Sequence, residues 1–158
     1  MKVIFLDRDG IINRERGDYT WLPSQFEFTT NLFDFLRNKS SEGFSFIVIT
    51  NQGGINKGLY DKEDVENLHN FMIKKLEEEN IQILDIYYCP HHSDFQKCLC
   101  RKPGSLLFEK AIAVYSIDQK ASFMIGDRQR DIEASEKAGI RGVLLESNPD
   151  WRNVKLEG

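Results

Sequence analysis

Residues 2–10 read KVIFLDRDG. Four consecutive apolar residues, Val3 to Leu6, suit a short strand buried on both faces, as in a parallel sheet covered by helices. The run stops abruptly at two carboxylates flanking an arginine, followed by a glycine. The same change of character recurs twice. Residues 44–50 (FSFIVIT) end in Thr50-Asn51-Gln52-Gly53, and residues 122–125 (SFMI) end in Gly126-Asp127, with Asp131 one helical turn later. In open α/β sheets, ligands bind outside the carboxyl ends of the strands. Three polar clusters remote in sequence are therefore expected at one site.

The segments between these strands have helical spacing. Residues 31–42 carry Leu32, Phe35 and Leu36, and Gly43 stands where a helix C-cap belongs. Asp61 can cap a helix whose Val65, Leu68, Met72 and Leu76 form one apolar face. Residues 105–115 and 131–138 are two further helices, the latter closed by Gly139, and residues 83–88 (ILDIYY) and 142–145 (GVLL) two further strands. The alternation predicts a three-layer, Rossmann-like α/β fold with a mostly parallel sheet. No repeat, low-complexity segment or linker interrupts it, so residues 1–158 are expected to form a single domain. Trp151 in the tail is expected to pack locally, and His69 to be an ordinary helix residue, exposed or packed.

Composition narrows the function. The chain has 158 residues, 41% hydrophobic and 29% charged, with a formal net charge of −4. That balance suits a globular domain and offers no bulk attraction for nucleic acid or an anionic membrane surface. No apolar run reaches the ~18–20 residues of a membrane span, and charge comes too early for a signal peptide. Cys89, Cys98 and Cys100 are an odd number crowded into one stretch, unlike a disulfide framework. A cytoplasmic monomer is expected. That it acts on a small phosphorylated metabolite is an expectation from the strand-end residues, not from composition.

Asp7, Asp9, Asp127 and Asp131 would place four carboxylates in one small volume. A hard divalent cation relieves that repulsion, and Mg²⁺ suits a site of few carboxylates and several waters. A carboxylate nucleophile can attack a phosphate monoester dianion only if cations neutralise the phosphoryl oxygens. Mg²⁺ and Lys102 can supply that charge, and Thr50 a hydroxyl with neighbouring backbone N–H groups. Cys89, Cys98 and Cys100, with His91 or the competing His92, offer three thiolates and an imidazole to a tetrahedral Zn²⁺ in a loop spanning 89–100. Such a centre is closed and structural, and it would fix the adjoining Arg101-Lys102.

DRDG at Asp7, Thr50 at a strand end, Lys102 and GDxxxD at Gly126 together resemble the four motifs of the haloacid dehalogenase superfamily of phosphohydrolases, from residue 2 to about 145. The resemblance implies a core with the Asp7 strand central, and the stretches Asp9–Thr50 and Thr50–Lys102, largely filled by core elements, leave no room for a large cap, so a capless form is expected. The resemblance also implies Asp7 as the nucleophile forming an aspartyl-phosphate, and Asp9 as general acid and then base. Thr50 and Lys102 would bind the phosphoryl group. Asp7, the Asp9 backbone carbonyl and Asp127 would hold Mg²⁺, with Asp131 behind them. It favours His91 over His92 as the zinc ligand. The CPH…CxCRKP loop resembles two related groups, the D-glycero-D-manno-heptose 1,7-bisphosphate 7-phosphatases and the histidinol-phosphatases. IIN at 11–13, FEF at 26–28, Lys57-Gly58 and YYCPHH at 87–92 favour the first, whereas the short loop between His91 and Cys98 is nearer the second.

Asn51, Gln52, Gly53, Arg101 and Arg128 are then expected to contact substrate. A second phosphate would call on Arg101, Arg128, Lys57, Arg14 or Arg16 at the rim, and the ammonium of histidinol phosphate on Glu15 or Asp18. A reading of another class is a zinc-stabilised module phosphorylated on an Asp without turnover. Asp9 argues against it, because a second carboxylate can activate water against the acyl phosphate.

Overall fold

The computed structural model describes residues 1–156. Five parallel strands, β1 (Val3–Leu6), β2 (Ser45–Asn51), β3 (Asp85–Cys89), β4 (Phe123–Gly126) and β5 (Arg141–Leu144), form one sheet in the order β3-β2-β1-β4-β5. As the two-residue side-chain period requires, alternate residues of β1 face opposite layers. Ile4 and Leu6 pack with Leu32 and Leu36 of α1 (Leu32–Ser41) and with Met72 and Leu76 of α2 (Lys62–Glu78). Val3 and Phe5 pack with Phe108 and Ala111 of α3 (Leu106–Tyr115) and Ala134 of α4 (Gln129–Lys137). The Phe5 and Phe108 rings lie 5.1 Å apart. Burying side chains of this size stabilises the fold by about 1.5–3 kcal/mol each, which makes the central strand a rigid base for Asp7.

The strand order places the site. The chain runs outward from β1 through β2 to β3, then returns to β4 on the other flank of β1. This reversal opens a crevice at the carboxyl ends of β1 and β4, where Asp7 and Asp127 stand. The segment between β1 and α1 is held against the core by the bridges Asp9–Asn13 and Asn13–Phe28, so among the described residues no separate cap covers the crevice. No helix among them is long and apolar enough to cross a membrane.

Three local expectations change. Helix α4 starts at Gln129, so Asp131 lies inside its first turn, where its Oδ2 accepts the Arg128 N–H at 3.1 Å. Strand β5 spans Arg141–Leu144 rather than 142–145, and it is an edge strand with Leu144 52% exposed. Trp151 packs far from its own neighbours in sequence. It is buried, its ring lies 4.4 Å from that of Phe35, and its Nε1–H donates to Thr29 Oγ1 at 2.8 Å. The tail thus closes the α1 face of the core. Trp151→Ala is expected to lower unfolding free energy by about 3–5 kcal/mol, and Trp151→Phe by much less, because it keeps the packed ring and loses one hydrogen bond. Urea unfolding of the two variants measures the difference.

Candidate active site

Strand β1 delivers Asp7 to the crevice, and the turn after Cys100 delivers Lys102. The Lys102 ammonium is buried. It donates to Asp7 Oδ1 at 3.0 Å and to the Ile49 carbonyl at 2.8 Å, and it pairs with Asp131 Oδ1 at 2.7 Å. Two of its protons are thus hydrogen-bonded within the protein, and a second carboxylate stands against its charge. Burial alone would favour neutral lysine, but Asp7 and Asp131 outweigh it and raise its affinity for a proton. The Asp7 pKa is also raised, which for a carboxylate disfavours the charged form. Burial raises its pKa well above the usual range, Lys102 opposes, and Asp131, Asp127 and Asp9 add repulsion. Such a group gains most from a cation.

Carboxylate oxygens of Asp7, Asp127 and Asp131 lie within 4.8 Å of one another. Asp127 Oδ2 accepts the Ser147 hydroxyl at 2.6 Å, whereas its Oδ1 is buried with no partner. A buried anionic oxygen without a donor is costly, and a hard cation satisfies it. Gly10 makes room for this arrangement. A Cβ at its φ of +87° would collide with the Asp127 carboxylate. The donor set, all oxygen, fits Mg²⁺.

The Asp9 side chain is turned away from that cluster. It accepts from Arg8 Nη2 at 2.9 Å, Asn13 Nδ2 at 2.9 Å and Gln52 Nε2 at 3.2 Å. Burial pushes its pKa up, but the Arg8 guanidinium and these hydrogen bonds prevail, so it is lowered. Any Asp9 contribution to a cation therefore falls to its backbone carbonyl. Arg8 itself is completely buried. It also donates to the Thr20 carbonyl and to His69 Nε2, at 2.8 and 3.1 Å. Reading from the sequence alone missed this role of Arg8 and His69. The adjacency of Arg8 to two aspartates was the only signal.

The residues after β2 are also knitted inward. Thr50 Oγ1 accepts from Gln52 Nε2 at 3.0 Å, and Gln52 Oε1 accepts from the buried Tyr60 hydroxyl at 2.8 Å. The Asn51 amide engages both backbone groups of Lys102, at 3.0 and 3.3 Å. Asn51 and Gln52 reach the cleft, yet their side-chain amides are engaged in holding Lys102, Asp9 and Thr50, because the strand end turns them inward.

A cleft of about 350 Å³ opens above these groups, and its lining includes Gly53, His92, Arg101 and Arg128, with Glu15 and Asp18 at the rim. The cationic rim differs from expectation. Arg14 turns to Thr30 and Glu27, Arg16 to Asp18, and Lys57 lies over the Tyr19 ring. Arg130, not singled out in the sequence, lines the cleft in their place, because the early start of α4 brings it forward. Arg101 donates to the His91 carbonyl at 3.1 Å, which ties it to the cysteine loop.

In that loop, ligand atoms of Cys89, His91, Cys98 and Cys100 lie within 4.8 Å of one another. His91 Nδ1 is 3.4 Å from Cys89 Sγ and 3.3 Å from Cys100 Sγ. His92 is excluded from the group, since its Nδ1 accepts the Asp94 N–H and its ring lines the cleft. Three sulfurs and one imidazole nitrogen so disposed can hold a tetrahedral metal ion. Burial and the neighbouring Cys100 thiol push the Cys89 thiol well above the usual range, so binding a metal would release protons.

The pattern of the HAD-hydrolase-like family matches residues 99–150. The D-glycero-alpha-D-manno-heptose-1,7-bisphosphate 7-phosphatase of Photorhabdus laumondii is 40% identical over 151 residues, covering 92% of this chain and 82% of its own. The D-glycero-beta-D-manno-heptose-1,7-bisphosphate 7-phosphatase of Helicobacter pylori J99 is 40% identical over 150 residues, covering 94% and 85%. The crystal structure of the D,D-heptose 1,7-bisphosphate phosphatase of B. bronchiseptica, complexed with magnesium and phosphate, superposes with a TM-score of 0.87 at 26% identity, covering 96% of this chain and 84% of that one.

The Arg8–His69 contact has a pH signature. Burial, then the Arg8 charge, push His69 down to about 3, with Asp9 opposing. The unfolded chain therefore binds a proton that the native chain refuses between pH ~6.5 and about 3. The His69 contribution to stability is complete above that window and lost as pH falls through it, with a slope approaching about 1.4 kcal/mol per pH unit. His69→Gln keeps an acceptor for Arg8 and removes the titration. Urea unfolding at a series of pH values should give a shallower acid decline for the variant; identical profiles would exclude a buried neutral His69.

Proposed function

The chain belongs to the D-glycero-D-manno-heptose 1,7-bisphosphate 7-phosphatase family of haloacid dehalogenase-like hydrolases, and from that membership we propose that it removes the 7-phosphate of D-glycero-D-manno-heptose 1,7-bisphosphate. It is a phosphoric monoester hydrolase. The observation that carries the assignment of roles is the Asp7–Lys102 pair at 3.0 Å beside the partnerless Asp127 Oδ1. A nucleophilic carboxylate beside a fixed cation, with an acidic oxygen able to hold a second cation, meets the needs of an incoming phosphoryl group.

Asp7 attacks phosphorus as the ester oxygen leaves, and that oxygen takes a proton from Asp9. Asp9 is an ionised acceptor in the free protein. It takes up this proton when the substrate dianion arrives beside it and raises its proton affinity. Water then attacks the aspartyl-phosphate and returns a proton to Asp9, releasing inorganic phosphate and restoring Asp7. Thr50 donates its hydroxyl to the phosphoryl group. Lys102 acts through its charge at Asp7, with Asp131 holding it in place. Asp7, Asp127 and the Asp9 backbone carbonyl would hold Mg²⁺, which would supply charge neutralisation for the phosphoryl oxygens.

Cys89, His91, Cys98 and Cys100 hold a structural Zn²⁺ that fixes Arg101 and Lys102. Gly53, Arg101 and Arg128 face the substrate body and its remote phosphate, with Asn51 and Gln52 behind them. The whole of 1–158 works as one phosphatase domain, a cytoplasmic monomer without nucleic-acid or membrane partners, in keeping with its charge and composition. Glu15 and Asp18 at the rim support a second reading, histidinol phosphate, whose ammonium they would receive. A kinetic panel of heptose bisphosphate, histidinol phosphate and an aryl phosphate decides between them.

Asp7→Asn is expected to abolish phosphate release on every substrate while the fold is retained. Arg101→Ala should lose about one to two decades of kcat/KM with the bisphosphate, the worth of a charge-assisted contact of roughly 1.5–3 kcal/mol, and much less with the aryl phosphate. Lys102→Ala should damage both substrates alike. Equal losses for both substrates in Arg101→Ala would assign Arg101 to the reacting phosphate instead.

Elemental analysis of protein purified without added metal is expected to find one Zn²⁺ per chain. Cys98→Ser should lose it and raise KM before the core unfolds. Three freely titrating thiols in the native protein would overturn the zinc assignment.

A further inference from the structure

The segment that follows β5 touches three parts of the site that are remote from it in sequence. The Ser147 hydroxyl donates to Asp127 Oδ2 at 2.6 Å, beyond the end of β4. The Asn148 N–H donates to the Gly10 carbonyl at 2.8 Å, in the turn after β1. The Asn148 side chain clasps both backbone groups of Glu15. Its Oδ1 accepts the Glu15 N–H at 2.6 Å, and its Nδ2 donates to the Glu15 carbonyl at 3.2 Å. Asn148 takes a left-handed backbone, φ 58°, to do this, a conformation that asparagine tolerates better than most residues.

We propose that Ser147 and Asn148 form a positioning strap for the phosphatase site. Ser147 turns Asp127 so that Oδ1 faces the catalytic cation, and Asn148 sets the place of the Glu15–Tyr19 rim of the substrate cleft. The proposal rests on the metal-dependent reading above. The Asp127 carboxylate has two oxygens and very little exposure, and Ser147 occupies one of them. The other is the partnerless atom. An O–H···O⁻ bond of this length is charge-assisted and strong. The absence of a Cβ at Gly10 lets the carboxylate lie against the backbone to which Asn148 is anchored, and a Cβ there would also stand 3.4 Å from Ser147 Oγ. One strap thereby couples a metal ligand to the rim, where Glu15, Gly17, Asp18 and Tyr19 line the cleft.

The two arms of the strap separate experimentally. Mn²⁺ binding to the full chain, read by electron paramagnetic resonance, reports the first without turnover. Ser147→Ala should weaken Mn²⁺ by about 10–100-fold, as the loss of a residue that orients a metal ligand does, and Ser147→Thr should restore it. For the second arm, Asn148→Gly keeps the left-handed backbone without strain and removes the clasp. It should raise KM for the heptose bisphosphate and speed hydrogen exchange of the Glu15 amide, with Mn²⁺ affinity unchanged. Asn148→Asp, which keeps only the acceptor, should fall between. Wild-type Mn²⁺ affinity in Ser147→Ala would overturn the first arm, and wild-type KM with an undisturbed Glu15 amide in Asn148→Gly the second. If the wild-type chain binds no Mn²⁺, or Asp127→Asn binds it equally well, the metal-dependent reading itself falls, and the Ser147 arm with it.

Discussion

A single buried ammonium organises the site. Lys102 lies between two carboxylates and a strand carbonyl, donating to Asp7 and Ile49 and ion-paired with Asp131. Removing a lysine from water is costly unless its charge is matched and its protons are bonded. Here the match also serves chemistry. The charge that makes burial of Asp7 tolerable lies against Asp7 Oδ1, on the carboxylate we propose as the nucleophile. Asp131, in the first turn of α4, holds the lysine from behind, so the helix start, Lys102 and Asp7 form one unit.

Much of the rest is backbone held by side chains. Asn51 bonds both backbone groups of Lys102, and Asn148 bonds both backbone groups of Glu15. A primary amide is suited to this, since it offers a donor and an acceptor side by side, matching a peptide unit that belongs to no helix or strand. Loops that carry functional groups lack the hydrogen-bond ladders of regular structure. These clasps substitute for them at two edges of the same cleft. Asp9 is held by another device, a buried arginine kept in place by a neutral histidine, which fixes the carboxylate and keeps it ionised in the free protein.

The cysteine cluster stands at the third edge. Cys89 lies in the core at the end of β3, and Cys100 directly precedes Arg101. A loop that is polar and partly exposed over much of its length buries too little apolar surface to order itself. The metal we propose at Cys89, His91, Cys98 and Cys100 would tie its two ends to the sheet, and the Arg101 guanidinium is bonded to the same loop through the His91 carbonyl. The cleft lining carries both Arg101, Arg128 and Arg130 and the acidic Glu15 and Asp18, a mixture suited to a substrate with chemically distinct parts.

The sheet and the acidic ends of its strands were legible in the chain, because continuous apolar runs closed by polar clusters reflect a local requirement of buried parallel strands. The central place of Asp7, Thr50, Lys102 and Asp127 and the grouping of the cysteines with His91 followed from residue type and spacing, aided by resemblance. The sequence carried no sign that Arg8 and His69 meet, that Trp151 closes the α1 face, that Arg130 and not Lys57 lines the cleft, or that Ser147 and Asn148 reach Asp127 and Glu15. Each of those contacts joins segments far apart in the chain or depends on where a helix begins, as α4 does two residues before Asp131. Periodicity and residue type are properties of neighbours along the chain. Which buried charge finds which partner is settled only when the sheet order brings separate loops to one edge, and there the cost of an unpaired polar group selects the contacts.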